Sequence, residues 1–279
     1  AWLEDYAASV TAAGDLPAPS VLRNGIRLEH VSFTYPGTSR VVLEDISVTL
    51  PAGAVVAIVG ENGAGKTTLV KLLAKLYEPS SGAIFVDETP LARVQASEWR
   101  GRLAGAFQDF FRFEFRAKET VGLGDVSRLN EEPAVVEAVE RAGASDVIAG
   151  LKSGLDTQLG PTWPNGVDLS FGQWQKLALA RGFMRDEPLL LVLDEPTAAL
   201  DAETEHALFD RYAAAARTEK SASGRVTILV SHRFSTVRMA NLIVVLDGAR
   251  LVEVGSHEEL MAKGGQYSEL YSIQAATYK

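Results

Sequence analysis

Four short apolar runs punctuate the chain, at Val55–Val59, Leu103–Phe107, Leu189–Leu193 and Thr227–Val230. None alternates apolar with polar residues. That is the pattern of strands buried on both faces, as in a parallel sheet. Helical periodicity marks Lys66–Leu76, Pro133–Ala142, Phe171–Met184 and Ala202–Ala216. Strands alternating with helices predict α/β architecture. Upstream the pattern differs. Ile26, Leu28, His30–Val31 and Phe33 read as one strand, Pro36-Gly37 as a turn and Val41–Leu50 as a second strand, so an antiparallel β portion is expected near the N-terminus. Leu242–Leu246 and Leu251–Val254 read as a hairpin across Asp247-Gly248. Ser256 and Glu259 have capping-box spacing before a last helical region. Trp2, Leu3, Tyr6, Ala7 and Val10 fall on one helical face before Gly14, Pro17 and Pro19 stop the helix. Residues 1–22 therefore read either as a helix tail plus linker or as a disordered end.

Composition narrows the partners. With 27 basic and 36 acidic residues among 279, the formal charge is −9. Proteins built around a polyanion carry a basic surface, so nucleic acid is not expected as a principal partner. A single nucleotide needs only a local pocket. The chain has no cysteine, which excludes disulfide and thiolate chemistry and fits a reducing compartment. No apolar run approaches the roughly 18 residues of a membrane helix, and no signal peptide is visible. The chain opens Ala-Trp-Leu-Glu-Asp-Tyr, without methionine, and is read as a piece of a longer protein.

Candidate chemistry follows each buried run. Val59 leads into Gly60-Glu-Asn-Gly-Ala-Gly-Lys-Thr67, Phe107 into Gln108, Leu193 into Asp194-Glu195, and Val230 into Ser231-His232. Parallel strands share one carboxyl edge, where open α/β sheets bind ligands, so these four segments are predicted to converge. The first segment fits Gly-x-x-x-x-Gly-Lys-[Ser/Thr]. Its glycines let backbone N–H groups turn around phosphate oxygens, and the helix behind it points its N-terminus at the same anion. The residues expected to bind the nucleotide here are Gly60, Asn62, Gly63, Ala64, Gly65, Lys66, Thr67 and Thr68. Lys66 is suited to the β- and γ-phosphates of ATP and the Thr67 hydroxyl to Mg²⁺. Asp194 ends a strand and suits a water-bridged Mg²⁺, while Glu195 beside it can polarise an attacking water. An acid before Pro196 is also a common helix-start arrangement. The phosphate loop tips the balance to catalysis.

These residues resemble the ATP-binding cassette (ABC) family from about residue 26 to the end. Tyr35, in Phe33-Thr-Tyr-Pro-Gly37, matches the aromatic that stacks on adenine. Gly60–Thr67 matches the Walker A loop, Gln108 the Q-loop glutamine, and Leu190–Glu195 Walker B with its catalytic glutamate. Ala198-Ala-Leu-Asp201 matches the D-loop and His232 the switch histidine. The signature appears as Leu169-Ser170-Phe171-Gly172-Gln173, with phenylalanine in place of the first glycine of Leu-Ser-Gly-Gly-Gln. Ser170 and Gln173 also have capping-box spacing, and a capped helix N-terminus is itself an anion site. A second departure lies upstream, where Gly160-Pro-Thr-Trp-Pro-Asn-Gly166 replaces the Gly-Glu-Arg-Gly-like segment of many exporters.

The resemblance implies an α/β P-loop ATPase core with a mostly parallel sheet, the N-terminal antiparallel portion, and a helical subdomain inserted over about 109–185. Residues 23–279 would form the ATP-binding domain. Its implied cofactors are ATP and Mg²⁺, with Thr67, Gln108 and Asp194 toward the metal. Lys66, Glu195 and His232 would be catalytic. Two copies, identical or not, would close head to tail, each ATP lying between Lys66 of one and Ser170 of the other, with Gly172, Gln173 and Asp201 also implied as nucleotide-binding residues. The implied function is to power export at the cytoplasmic face of the cell membrane, through a membrane domain fused ahead of residue 1. The segments Gln108–Thr120 and Gly172–Lys176 look like those of bacterial peptide or lantibiotic exporters. A separate importer subunit is the alternative. A soluble ABC ATPase acting on nucleic acid or ribosomes is a third reading, which the acidic charge and the lack of a long coiled coil or second cassette disfavour. Phe111, Phe113 and Phe115 alternate with charged residues, so an extended chain would put them on one face, either in the core or as a docking patch.

Overall fold

The computed structural model describes residues 14–107, 109–194, 224–231 and 233–277. Its centre is a six-stranded sheet of β3 (Val55–Gly60), β6 (Leu103–Ala106), β7 (Leu190–Asp194), β8 (Val226–Val230), β9 (Leu242–Asp247) and β10 (Arg250–Gly255). The strand order is β10-β9-β3-β8-β7-β6, parallel throughout except for β10, which returns antiparallel along β9. The non-alternating runs have a direct cause. Val56 and Ile58 of β3 enter one apolar core, while Val55, Ala57 and Val59 enter another on the opposite face. In β7, Leu190 and Val192 face the first core, and Leu191 and Leu193 face a third. A strand clamped between two cores has no face left for polar residues.

A second sheet is antiparallel, in the order β2-β1-β4-β5. It comprises β1 (Gly25–Thr34), β2 (Val41–Pro51), β4 (Ser81–Val86) and β5 (Thr89–Pro90). The step between Leu28 and Val31 is a register shift in β1, at His30, whose φ is 50°. The bulge turns Val31 back inward, so Leu28, Val31 and Phe33 are all buried. This explains the broken alternation in the sequence. The pairing of β4 with β1 was not legible, because Ser81–Val86 buries only Ile84 and Val86.

Helix α1 (Lys66–Leu73) and α2 (Ala96–Gly101) pack beside the first core, where Trp99 is fully buried and its Nε1 donates to Leu73 O at 2.8 Å. The third core belongs to a helical layer of α3 (Ala117–Gly122), α4 (Glu132–Arg141), α5 (Ser145–Ala149) and α6 (Phe171–Gly182). This layer falls inside the expected 109–185 insertion. The chain closes with α7 (Phe234–Val237), α8 (His257–Lys263) and α9 (Gln266–Thr277). Ser256 caps α8 in the expected box with Glu259. The hairpin turn is Gly248-Ala249, one residue later than expected.

Residues 14–22 run along the domain surface. Leu16 N–H donates to Arg93 O at 2.9 Å, Gln95 N–H donates to Leu16 O at 2.8 Å, and Leu22 is buried. The helix expected over 1–12 and that over Ala202–Ala216 lie outside the described residues. Among the described residues, no helix is long and apolar enough to cross a membrane.

Candidate functional site

The registers bring the strand ends to one edge. Ile58 pairs with Val230, Val230 with Asp194, and Leu193 with Ala106. The carboxyl ends of β3, β6, β7 and β8 therefore lie side by side on one edge, as the pattern of runs predicted. Asp194, at that edge, is 3% exposed. Gln108, Glu195, Asp201 and His232 lie outside the described residues, but the residues before each of Gln108, Glu195 and His232 hold these edge positions.

Between β3 and α1 the backbone passes through positive φ at Gly60 (148°), Gly63 (84°) and Gly65 (100°). A Cβ at Gly60 would meet Leu246 O at 2.1 Å, and one at Gly65 would meet Leu43 Cδ2 at 2.6 Å. Only glycine fits at these two positions. Gly65 is the N-cap of α1 and makes no side-chain capping bond, so the positive end of this helix faces the loop, as suits an anion site. The Lys66 ammonium folds into the loop, donating to Gly60 O at 2.8 Å and Glu61 O at 3.0 Å. Thr67 is exposed beside it, whereas Thr68 is buried. Ala64 is buried under the loop.

A pocket of about 420 Å³ extends from this loop to Tyr35. Its remaining wall includes Thr38, Arg40, Asn62, Gly63, Thr67 and Thr68. Tyr35 is held edge-on by Phe33 (4.9 Å) and Tyr77 (5.3 Å), and its hydroxyl lies 3.0 Å from Thr68 Oγ1. The pocket size is ordinary for a small-molecule site. A half-buried aromatic at one end and a glycine-lined cationic nest at the other suit a base joined to phosphates. Sequence reasoning missed Thr38 and Arg40. Both follow Tyr35-Pro-Gly37 closely, but nothing in their spacing shows that the loop folds over the pocket.

Ser170, Gly172 and Gln173 do not line this pocket. They open α6: Ser170 Oγ accepts from Gln173 N–H at 3.3 Å, and Gln173 Oε1 accepts from Ser170 N–H at 2.9 Å. The capping box is thus present. Phe171 is 49% exposed and rests on Phe110 at 5.4 Å, with the Arg112 guanidinium 5.6 Å above its ring. Upstream, Glu114 accepts hydrogen bonds from Thr162 N–H and Thr162 Oγ1, pinning the Gly160–Gly166 segment.

Phe111, Phe113 and Phe115 do share a face, with ring centroids 4.9 Å and 6.0 Å apart in succession. None belongs to a buried core. Phe111 (69% exposed) and Phe113 line a groove of about 540 Å³, together with Leu76, Phe107, Leu123 and Arg181. The Arg181 guanidinium lies 4.8 Å over Phe113 and donates to Phe111 O. Burial pushes its pKa down from the ordinary value.

A glycine-rich loop between a parallel strand and a helix, beside a buried strand-end carboxylate, defines a P-loop nucleotide-binding protein. The family model described as ABC transporter matches residues 43–198, and the chain belongs to that family. Membership implies that the pocket binds ATP. The chain is 41% identical over 248 residues to an ATP-dependent lipid A-core flippase of Pseudomonas fluorescens, covering 89% of this chain and 39% of the flippase. It is 40% identical over 257 residues to the flippase of that name from Ralstonia nicotianae, covering 91% and 42%. Among solved structures it resembles a bacterial Atm1-family ABC exporter with ATP bound, at TM-score 0.82 and 35% identity, covering 94% of this chain and 43% of the exporter. The chain thus spans about two fifths of the length of the relatives it matches. Both flippases are named for a lipid A-core cargo and not for a peptide.

Proposed function

We propose that the chain is the ATP-binding and ATP-hydrolysing domain of an ABC exporter, working at the cytoplasmic face of the cell membrane. The carrying observation is the single pocket that joins Tyr35 to the Lys66 loop at the edge where β7 ends in buried Asp194. The ATP base stacks on Tyr35. The N–H groups of Gly60–Thr67 and the Lys66 ammonium take the phosphates, exchanging the Lys66 contacts with Gly60 O and Glu61 O for phosphate oxygens. Thr67, Asp194 and Gln108 would hold Mg²⁺, which would neutralise phosphate charge. Glu195 accepts the proton of the attacking water, and His232 holds the γ-phosphate and that water.

A second ABC domain completes each site in this reading. The exposed end of α6 offers Ser170, Gly172 and Gln173 to the partner's nucleotide. Residues 23–279 are the ATPase domain, and residues 1–22 lead in from a fused membrane domain. The relatives support this reading, since both flippases are matched over only part of their length. The groove beside Phe111 and Phe113 receives a helix of the membrane domain. An exposed aromatic patch rimmed by charge suits such a partner.

Glu195→Gln tests the catalytic assignment. It removes the water-activating carboxylate while keeping its size. With MgATP the variant is expected to stay nucleotide-bound and to elute as a dimer in size-exclusion chromatography at high protein concentration. Hydrolysis at the wild-type rate would refute the role of Glu195.

A further inference from the structure

Helix α7 begins at Phe234, two residues after position 232. Its N-cap residue is Arg233, and no side-chain capping bond is made there. An α-helix leaves its first N–H groups without partners, and something else must take them. Here the partner comes from 40 residues downstream: Phe234 N–H donates to Gln274 Oε1 at 2.8 Å.

The helix that carries Gln274 is itself anchored. The Tyr267 N–H of α9 donates at 2.8 Å to the Glu253 carboxylate, which is 7% exposed on β10. The Tyr267 hydroxyl lies 2.8 Å from His257 Nδ1 on α8. The Phe234 ring then stands edge-on to both Tyr267 (5.4 Å) and Tyr271 (5.5 Å). One helix therefore grips Phe234 twice, by its backbone and by its ring. On the other side of position 232, buried Ser231 accepts through Oγ from Arg233 N–H at 3.0 Å. The backbone flanking position 232 is held by β8 before it and by α9 after it.

We propose that Gln274 is a positioning residue for the backbone at Arg233 and Phe234, and that the role proposed for His232 depends on that tie. The proposal rests on the assignment of His232 to the ATP site. A histidine that must hold a phosphate and a water needs its backbone fixed to a fraction of an ångström, and small misplacements cost rate more than binding. The Gln274 side chain is half-buried and belongs to no hydrophobic core, so replacing it opens no core.

The test uses the 279-residue chain with Gln274→Met, which keeps size but has no comparable acceptor, and Gln274→Glu, which keeps the acceptor oxygen. Three quantities are read: kcat for MgATP, nucleotide Kd, and hydrogen exchange at the Phe234 amide. Gln274→Met is expected to lower kcat roughly tenfold and to speed Phe234 exchange, with Kd and Tm unchanged. Gln274→Glu is expected to restore both. Wild-type kcat and wild-type Phe234 exchange in Gln274→Met would overturn the proposal. So would a loss of kcat that only follows a fall in Tm and is not rescued by glutamate. His232→Ala separates the two layers. If it turns over ATP like wild type, the site reading falls and the proposal with it. If it is inactive while Gln274→Met is fully active, the positioning role alone fails.

Discussion

The Tyr35 hydroxyl lies 3.0 Å from Thr68 Oγ1, tying the aromatic at one end of the pocket to the helix behind the phosphate loop at the other. The two residues are 33 positions apart. The bond fixes the distance between the base and phosphate ends of the pocket before any ligand arrives. Tyr35→Ala removes both the stacking face and this tie, and stacking is worth about 1–3 kcal/mol per base. ATP affinity should fall roughly 5- to 150-fold. Tyr35→Phe keeps the face and loses only the tie, so its effect should be smaller. Titration with a fluorescent ATP analogue checks both. A neutral Tyr35→Ala would show that the base sits elsewhere.

Lys66→Ala removes a charge-assisted contact to phosphate. Such contacts are worth about 1.5–3 kcal/mol, so ATP should bind roughly 10- to 150-fold more weakly. The ligand-free loop should also loosen, since the ammonium bridges Gly60 O and Glu61 O. Faster amide exchange over residues 61–65 would show this. Unchanged ATP affinity would contradict the assignment.

Phe171→Gly should leave ATP hydrolysis intact. The ring is half exposed and rests on Phe110 and Arg112, outside the pocket that holds the Lys66 loop. Losing one aromatic contact should cost about 1 kcal/mol of stability, a Tm shift of a few degrees. The capping box between Ser170 and Gln173 does not use the ring and should persist. A folded variant with normal Tm and no hydrolysis would instead place Phe171 in the composite site.

Phe113→Ser in the full-length transporter should uncouple transport from ATP hydrolysis. Phe113 lines the groove and carries the Arg181 guanidinium, but it is not a core residue. The isolated chain should therefore keep its fold and its ATP affinity. Transport assays in proteoliposomes, paired with ATP binding by the isolated variant, separate the outcomes. Unfolding of the isolated variant would show that the ring serves packing and would sink the docking role.

The phosphate loop was legible because it is local. Gly60, Gly65, Lys66 and Thr67 act through consecutive backbone units, and the left-handed conformations they need are written in the glycines themselves. The parallel sheet was legible for a related reason. A strand covered on both faces must be apolar throughout, so Val55–Val59 and Leu190–Leu193 announce their environment residue by residue. From those runs the sharing of one edge by the segments around Gln108, Asp194 and Ser231 follows as geometry.

Tertiary structure alone decided the rest. Ser81–Val86 pairs along β1 from Ile26 to Ser32, and no property of its six residues names that partner. Arg40 reaches the pocket because the loop after Tyr35 folds over it. The rings of Phe111 and Phe113 line a groove because α6 brings Ala178 and Arg181 to its other wall. Gln274 caps a helix 40 residues away because β10 and Tyr267 carry α9 to that place. A local pattern encodes the conformation and burial of its own backbone. The identity of a distant partner depends on where every intervening element packs, and that is settled only when the cores close.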